Sequence, residues 1–136
     1  MITVVAALME QNGRLLICQR RCNDSFALKW EFPGGKLQPG ESPANALVRE
    51  LAEELGVTAV VGREVYRTRH RYAEYSEEIE VVFFSVALAA GSVSSIRNLA
   101  FERIEWARPA ELSRYDFLPA DRELIARLAS GELRLS

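Results

Sequence analysis

The stretch SPANALVRELAEELG, Ser42 to Gly56, decides what kind of fold this chain adopts. Ala44, Leu47, Val48, Leu51 and Leu55 recur at three- and four-residue spacing, the period of a helix with one buried face. Glu41–Ser42 offers capping chemistry, Pro43 suits a first helical turn, and Gly56 supplies the stop. The other side of this helix is unusual. At ~100° per residue, Glu50, Glu53 and Glu54 share one arc beside the apolar stripe. Like charges at that spacing repel by roughly 0.2–0.5 kcal/mol per pair. A cation held among them would remove that cost.

Outward from the helix the pattern changes to strands. ITVVAALME (2–10), the turn QNG and RLLICQR (14–20) read as a hairpin. In KWEFPGG (29–35) a short strand ends at Phe32, ahead of a Pro-Gly-Gly break. After the helix, residues 57–72 and 77–89 read as two strands around a polar turn, SVSSIRNLA (92–100) as a loop and FERIEWA (101–107) as a short strand. Pro109–Leu112 reads as a helical turn, and LPADRELIARLAS (118–130) as a closing amphipathic helix that stops before Gly131. Strands, helix, strands, helix is an α+β order, with a mixed sheet between helices. At 136 residues the expectation is a single domain, 1–136, with one substantial core.

Composition narrows the function. A net charge of −2 argues against a nucleic-acid polymer as partner, because that binding leans on a basic excess. Cys18 and Cys22 with a lone His70 suggest neither a disulfide framework nor a zinc site. The N-terminal run has no basic leader, and no apolar run approaches the ~20 residues of a membrane span. These features point to a cytoplasmic protein with no membrane partner. Hard cations such as Mg²⁺ take oxygen ligands, prefer phosphates plus one or two carboxylates, and keep several waters. Carboxylates at i, i+3 and i+4 of one helix would present such oxygens to one point. Gly34–Gly35 would let backbone groups approach the metal and phosphates, and Arg49 is placed to orient a neighbouring glutamate.

Gly35, Glu41, Arg49, Glu50, Leu51, Glu53, Glu54, Gly56 and Val57 fit the pattern G-x5-E-x7-R-E-U-x-E-E-x-G-U, with U a bulky aliphatic residue. A chance match of nine such positions is on the order of one in ten million for a chain this long. The pattern resembles the box of the Nudix hydrolases. WEFPGG before the box and DFLPADRELIARL (116–128) at the end look like the MutT-type branch, so the resemblance covers most of the chain.

The resemblance implies an α/β/α sandwich and a Mg²⁺-dependent hydrolysis, with Mn²⁺ able to replace Mg²⁺. The substrate would be a small nucleotide and the enzyme a monomer or homodimer, releasing monophosphate and pyrophosphate from a triphosphate. It implies Glu53 and Glu54 as metal ligands, Glu50 as a ligand or the base that activates water, and Arg49 as its neighbour in catalysis. Gly34 joins the metal set; Arg20, Lys36 and Gly35 take the phosphates. Arg21, Arg67, Arg69 and Arg71 rank lower, since alternating basic residues on a strand read as a solvated face. MutT-type sequences carry a further glutamate six residues before the late tryptophan; here that position is Ala100, with Glu102 the nearest carboxylate and the box glutamates expected to suffice.

For the base the candidates are Phe32, by stacking, and Asp121, which stands where enzymes acting on 8-oxo-dGTP resemble one another in having asparagine. An ionised aspartate is acceptor-only. It suits the N1–H and N2–H₂ edge of guanine, or cytosine N4–H₂, so an oxidised guanine nucleotide and a cytidine nucleotide both stand. Asp121 could instead cap the last helix. Other family chemistries, on ADP-ribose or dinucleoside polyphosphates, and a non-catalytic nucleotide sensor are the alternatives.

Overall fold

The computed structural model describes residues 1–73, 76–89 and 93–135. Strand β1 (Ile2–Gln11) turns back into β2 (Arg14–Gln19) through Asn12 and Gly13, both with left-handed backbone at φ 53° and 76°. Two consecutive positive φ values give the turn a twist that matches a hairpin. β1 is the hub of the sheet. It pairs antiparallel with β2 and with β4 (Gly34–Lys36), and parallel with β6 (Ile79–Leu88). β5 (Ala59–His70) closes one edge beside β6, while β3 (Trp30–Glu31) and β7 (Arg103–Ala107) flank β2.

The central strand is apolar without interruption because both of its faces are covered. Val5, Ala7 and Met9 pack on helix α1 (Pro43–Leu55) with Leu47, Leu51 and Leu55. Ala6 and Leu8 point the other way, toward Phe32, Phe83 and helix α2 (Arg122–Ser130), which contributes Leu124 and Leu128. The result is an α+β sandwich with a mixed sheet between helices. Full burial of each of Leu47, Leu51 and Leu55 contributes about 1.5–3 kcal/mol. The stripe of α1 is rotated slightly from the periodicity reading, with Ala46 buried and Ala44 exposed. Ser42 caps its start by accepting the Asn45 N–H at 3.2 Å, and Gly56 ends it at φ 67°.

Two local readings change and a third gains detail. The Pro-Gly-Gly break is brief: the strand ahead of it ends at Glu31, and Gly34–Lys36 is itself a strand. β1 and β4 approach so closely at Gly34 that a Cβ there would lie 1.9 Å from the Val5 carbonyl oxygen, which no side chain tolerates. Arg67 and Arg69 are exposed, as a solvated face requires, and also pair with Glu80, itself 7% exposed, at 3.2 and 3.3 Å. Ser92, at the head of the stretch read as a loop, lies outside the described residues. Residues 93–95 form a 3-10 turn, after which the Arg97 and Leu99 N–H groups donate to the Leu55 and Glu54 carbonyls at the end of α1. Among the described residues no helix is long and apolar enough to cross a membrane.

Candidate active site

The acid-bearing side of α1 faces β4 and β3 across a cleft. Arg49 organises its outer part. Its Nε and Nη2 donate to the two oxygens of Glu41 at 2.7 and 3.0 Å, and its Nη1 donates to Glu50 at 2.9 Å and to Glu53 at 3.4 Å. A further contact to the Lys36 carbonyl, 3.3 Å, ties the helix to β4. Paired with Arg49, Glu41 titrates below its ordinary range. Glu50 is shifted upward, burial outweighing the hydrogen bond from Arg49. Gly35 leaves the room that the Glu50 carboxyl fills: a Cβ there would stand 2.4 Å from its Cδ. Glu53 is the most open of the three, its side chain 60% exposed.

Glu54 points inward. Its Oε1 accepts the Gly34 N–H at 3.0 Å, and burial, then Glu31 and Glu50, push its pKa up to about 9. Glu31 is the carboxylate that motif reasoning missed. It sits on β3 opposite Cys18 of β2, with its pKa raised to about 7 by burial against the pull of Arg20. Arg20 donates to both Glu31 oxygens, at 3.1 and 3.3 Å, while its remaining donors reach the Ser25 carbonyl and hydroxyl. Glu31 lies within WEFPGG, but its spacing gives it no role, since only the register of β2 with β3 brings it toward Glu54 of α1.

Arg20, Lys36, Gly34, Gly35, Glu54 and Glu31 share one cleft of about 440 Å³ with Phe32, Ala100 and Asp121. Phe32 is 3% exposed and packs on Phe117 and Phe83, ring centroids 5.5 and 6.1 Å away, so it is core and cleft wall together. Asp121 is 4% exposed, at the start of α2, yet its side chain makes no capping hydrogen bond. Burial and Glu31 hold its carboxyl well above the usual aspartate range. Glu102 is exposed and outside the cleft lining, its backbone N–H bound to the Gln19 carbonyl.

Among the described residues no three acidic, histidine or cysteine side chains converge within ligating reach, so Glu50, Glu53 and Glu54 do not share one point here. Arg49 holds the Glu50 carboxyl against Gly35 and reaches the exposed Glu53, while the Gly34 N–H holds Glu54. The donor set nonetheless fits a hard divalent cation. Its donors are carboxylate and carbonyl oxygens, and among the described residues no cation pairs with the half-buried Glu54.

This has a consequence for stability. A carboxyl whose folded pKa lies above its unfolded value binds its proton more tightly in the folded protein, so stability falls as pH rises between the two values. In chelator, Glu31 and Glu54 will lower Tm progressively from about pH 4.5 to about pH 9. Added Mg²⁺ will restore Tm at the alkaline end, and Glu54→Gln will flatten both responses in a thermal melt. A Tm that Mg²⁺ leaves unmoved in the parent protein would count against a cation among these acids.

Acid within and arginine at the rim suit a polyanion whose anhydride is opened with a divalent cation, which puts the chain among metal-assisted hydrolases of phosphoric anhydrides. The chain belongs to the Nudix family, as the NUDIX domain model matches residues 1–128. It is 38% identical over 125 residues to the CTP pyrophosphohydrolase of Escherichia coli, spanning 92% of this chain and 89% of that protein. It is 30% identical over 132 residues to the nucleoside triphosphatase NudI of Salmonella paratyphi B, spanning 91% and 94%. The solution structure of the E. coli ORF135 protein superposes with a TM-score of 0.82 at 34% identity, over 97% of this chain and 91% of that one. Enzymes of this family work with divalent metal ions.

Proposed function

We propose that the chain hydrolyses a nucleoside triphosphate to the monophosphate and pyrophosphate, with Mg²⁺ as the cation and a cytidine nucleotide as the preferred substrate. The observation that carries this reading is the shared cleft, with Glu54 and Asp121 both on its lining. A space of that size suits one small molecule. The names of the E. coli and Salmonella relatives support the triphosphate class, and that of the first supports cytidine.

Glu53 and Glu54, with the Gly34 backbone, would hold the cation, which supplies charge neutralisation at the phosphate oxygens. Glu50, steered by Arg49 at 2.9 Å, takes the proton of the attacking water. Arg20 and Lys36 bring positive charge to the phosphates from the cleft lining. At the base end, burial and Glu31 favour the protonated form of Asp121, and a protonated carboxyl offers an O–H donor beside a carbonyl acceptor. That pair complements N3 and N4–H₂ of cytosine. The two-donor N1–H and N2–H₂ edge of guanine asks for two acceptors instead.

A pyrophosphate-release screen with Mg²⁺, ranked by kcat/KM, tests this over canonical, oxidised and methylated nucleotides, ADP-ribose and dinucleoside polyphosphates. The expected result is a cytidine nucleotide at the head and no turnover in EDTA. Oxidised guanine at the head would reverse the base assignment, and tight binding without turnover would make the protein a sensor.

A further inference from the structure

The base end of the cleft is held by a residue outside the box. Tyr72 lies two residues past the end of β5 and is 8% exposed. Its phenol oxygen accepts the Ala120 N–H at 3.0 Å, a buried hydrogen bond across 48 residues of chain. Ala120 precedes Asp121 in the 3-10 turn Pro119–Asp121, where the Asp121 N–H donates to the Leu118 carbonyl at 3.0 Å and the Arg122 N–H to the Pro119 carbonyl. The Asp121 carboxyl is therefore aimed by its backbone, since the side chain makes no capping bond of its own.

The ring of Tyr72 is fixed as firmly as its oxygen. His70 lies 4.5 Å from it and Phe26 4.7 Å, centroid to centroid, at 57° and 54°. Phe26 reaches this place with φ 53°, a left-handed backbone that bulky residues rarely adopt. Phe26, Tyr72, Ala120 and Asp121 all line the same cleft.

The geometry points to Tyr72 as a positioning residue for base discrimination: its phenol oxygen anchors the Ala120 N–H and so sets where the Asp121 carboxyl meets the base, while its ring and Phe26 wall that end of the cleft. This rests on the reading of Asp121 as the group that recognises the base. Tyr72→Phe keeps the ring and deletes the oxygen, leaving a buried N–H without its acceptor.

The test compares Tyr72→Phe, Asp121→Ala and the double variant, measuring kcat and KM separately for CTP and UTP. Tyr72→Phe is expected to raise KM for CTP about tenfold with kcat within about threefold, narrowing the CTP-to-UTP ratio of kcat/KM. In the Asp121→Ala background the same change is expected to alter that ratio by less than about twofold, because both act through one contact. Equal losses of kcat on both nucleotides, or a full tenfold effect in the absence of Asp121, would overturn the proposal. If Asp121→Ala alone keeps the base preference, the Asp121 reading fails first and the Tyr72 role falls with it.

Discussion

Glu54→Gln will lower kcat by on the order of 10³-fold or more while the protein stays folded. Glutamine keeps the shape and can still accept the Gly34 N–H now made by Glu54 Oε1 at 3.0 Å. What it removes is the one charge of the cluster that lies deepest, pushed up to about 9 by burial and by Glu31 and Glu50. That charge is unfavourable in the bare helix and becomes useful only against a cation. The variant should therefore melt at or above the parent temperature in chelator, and gain less from Mg²⁺ than the parent does. Pyrophosphate release at saturating nucleotide is the measurement. Turnover near the parent rate would remove Glu54 from the catalytic cation site.

Asp121→Ala will lower kcat/KM for the cytidine nucleotide about 100-fold, mostly through KM, whereas Asp121→Asn will stay within about tenfold of the parent. The contrast is the one expected when the carboxyl meets the base in its protonated form, the form that burial and Glu31 favour. A buried acid, raised by desolvation and by Glu31, presents one donor and one acceptor. An asparagine amide presents the same pair, while alanine presents neither. An ionised carboxylate serving two donors would instead bring the asparagine loss close to that of alanine, since asparagine cannot accept with both atoms. Thermal melts separate this from a folding defect, because the Asp121 side chain caps nothing and its removal takes no helix-capping bond from α2.

These variants also show where the site could be read in advance. The glutamates of α1 announce themselves by spacing, and the cost of their repulsion is visible from helix geometry alone. Gly35 was legible as a residue that permits close approach, but what approaches is the Glu50 carboxyl, 2.4 Å from where a Cβ would be. Glu31 and Tyr72 were not legible. Each lies on or beside a strand in an unremarkable sequence, and each gains its part from a partner far along the chain, Arg20 and Cys18 for one, Ala120 for the other.

The architecture itself was largely written in local pattern. An apolar run such as VVAALM (4–9) must be buried on both faces, an amphipathic helix must cover one of them, and Ser42 and Gly56 bound that helix by their own backbone and side-chain chemistry. Periodicity, turns and caps depend on neighbours within a few residues, so the chain alone determines them. Tertiary structure decided the rest: that Gly34–Lys36 joins β1 as a strand, that Arg49 seats Glu50 against Gly35 while Gly34 holds Glu54, and that Asp121 faces a cleft instead of capping α2. Those outcomes turn on register and burial, which set dielectric and distance between groups remote in sequence, and only the folded sheet brings them within reach.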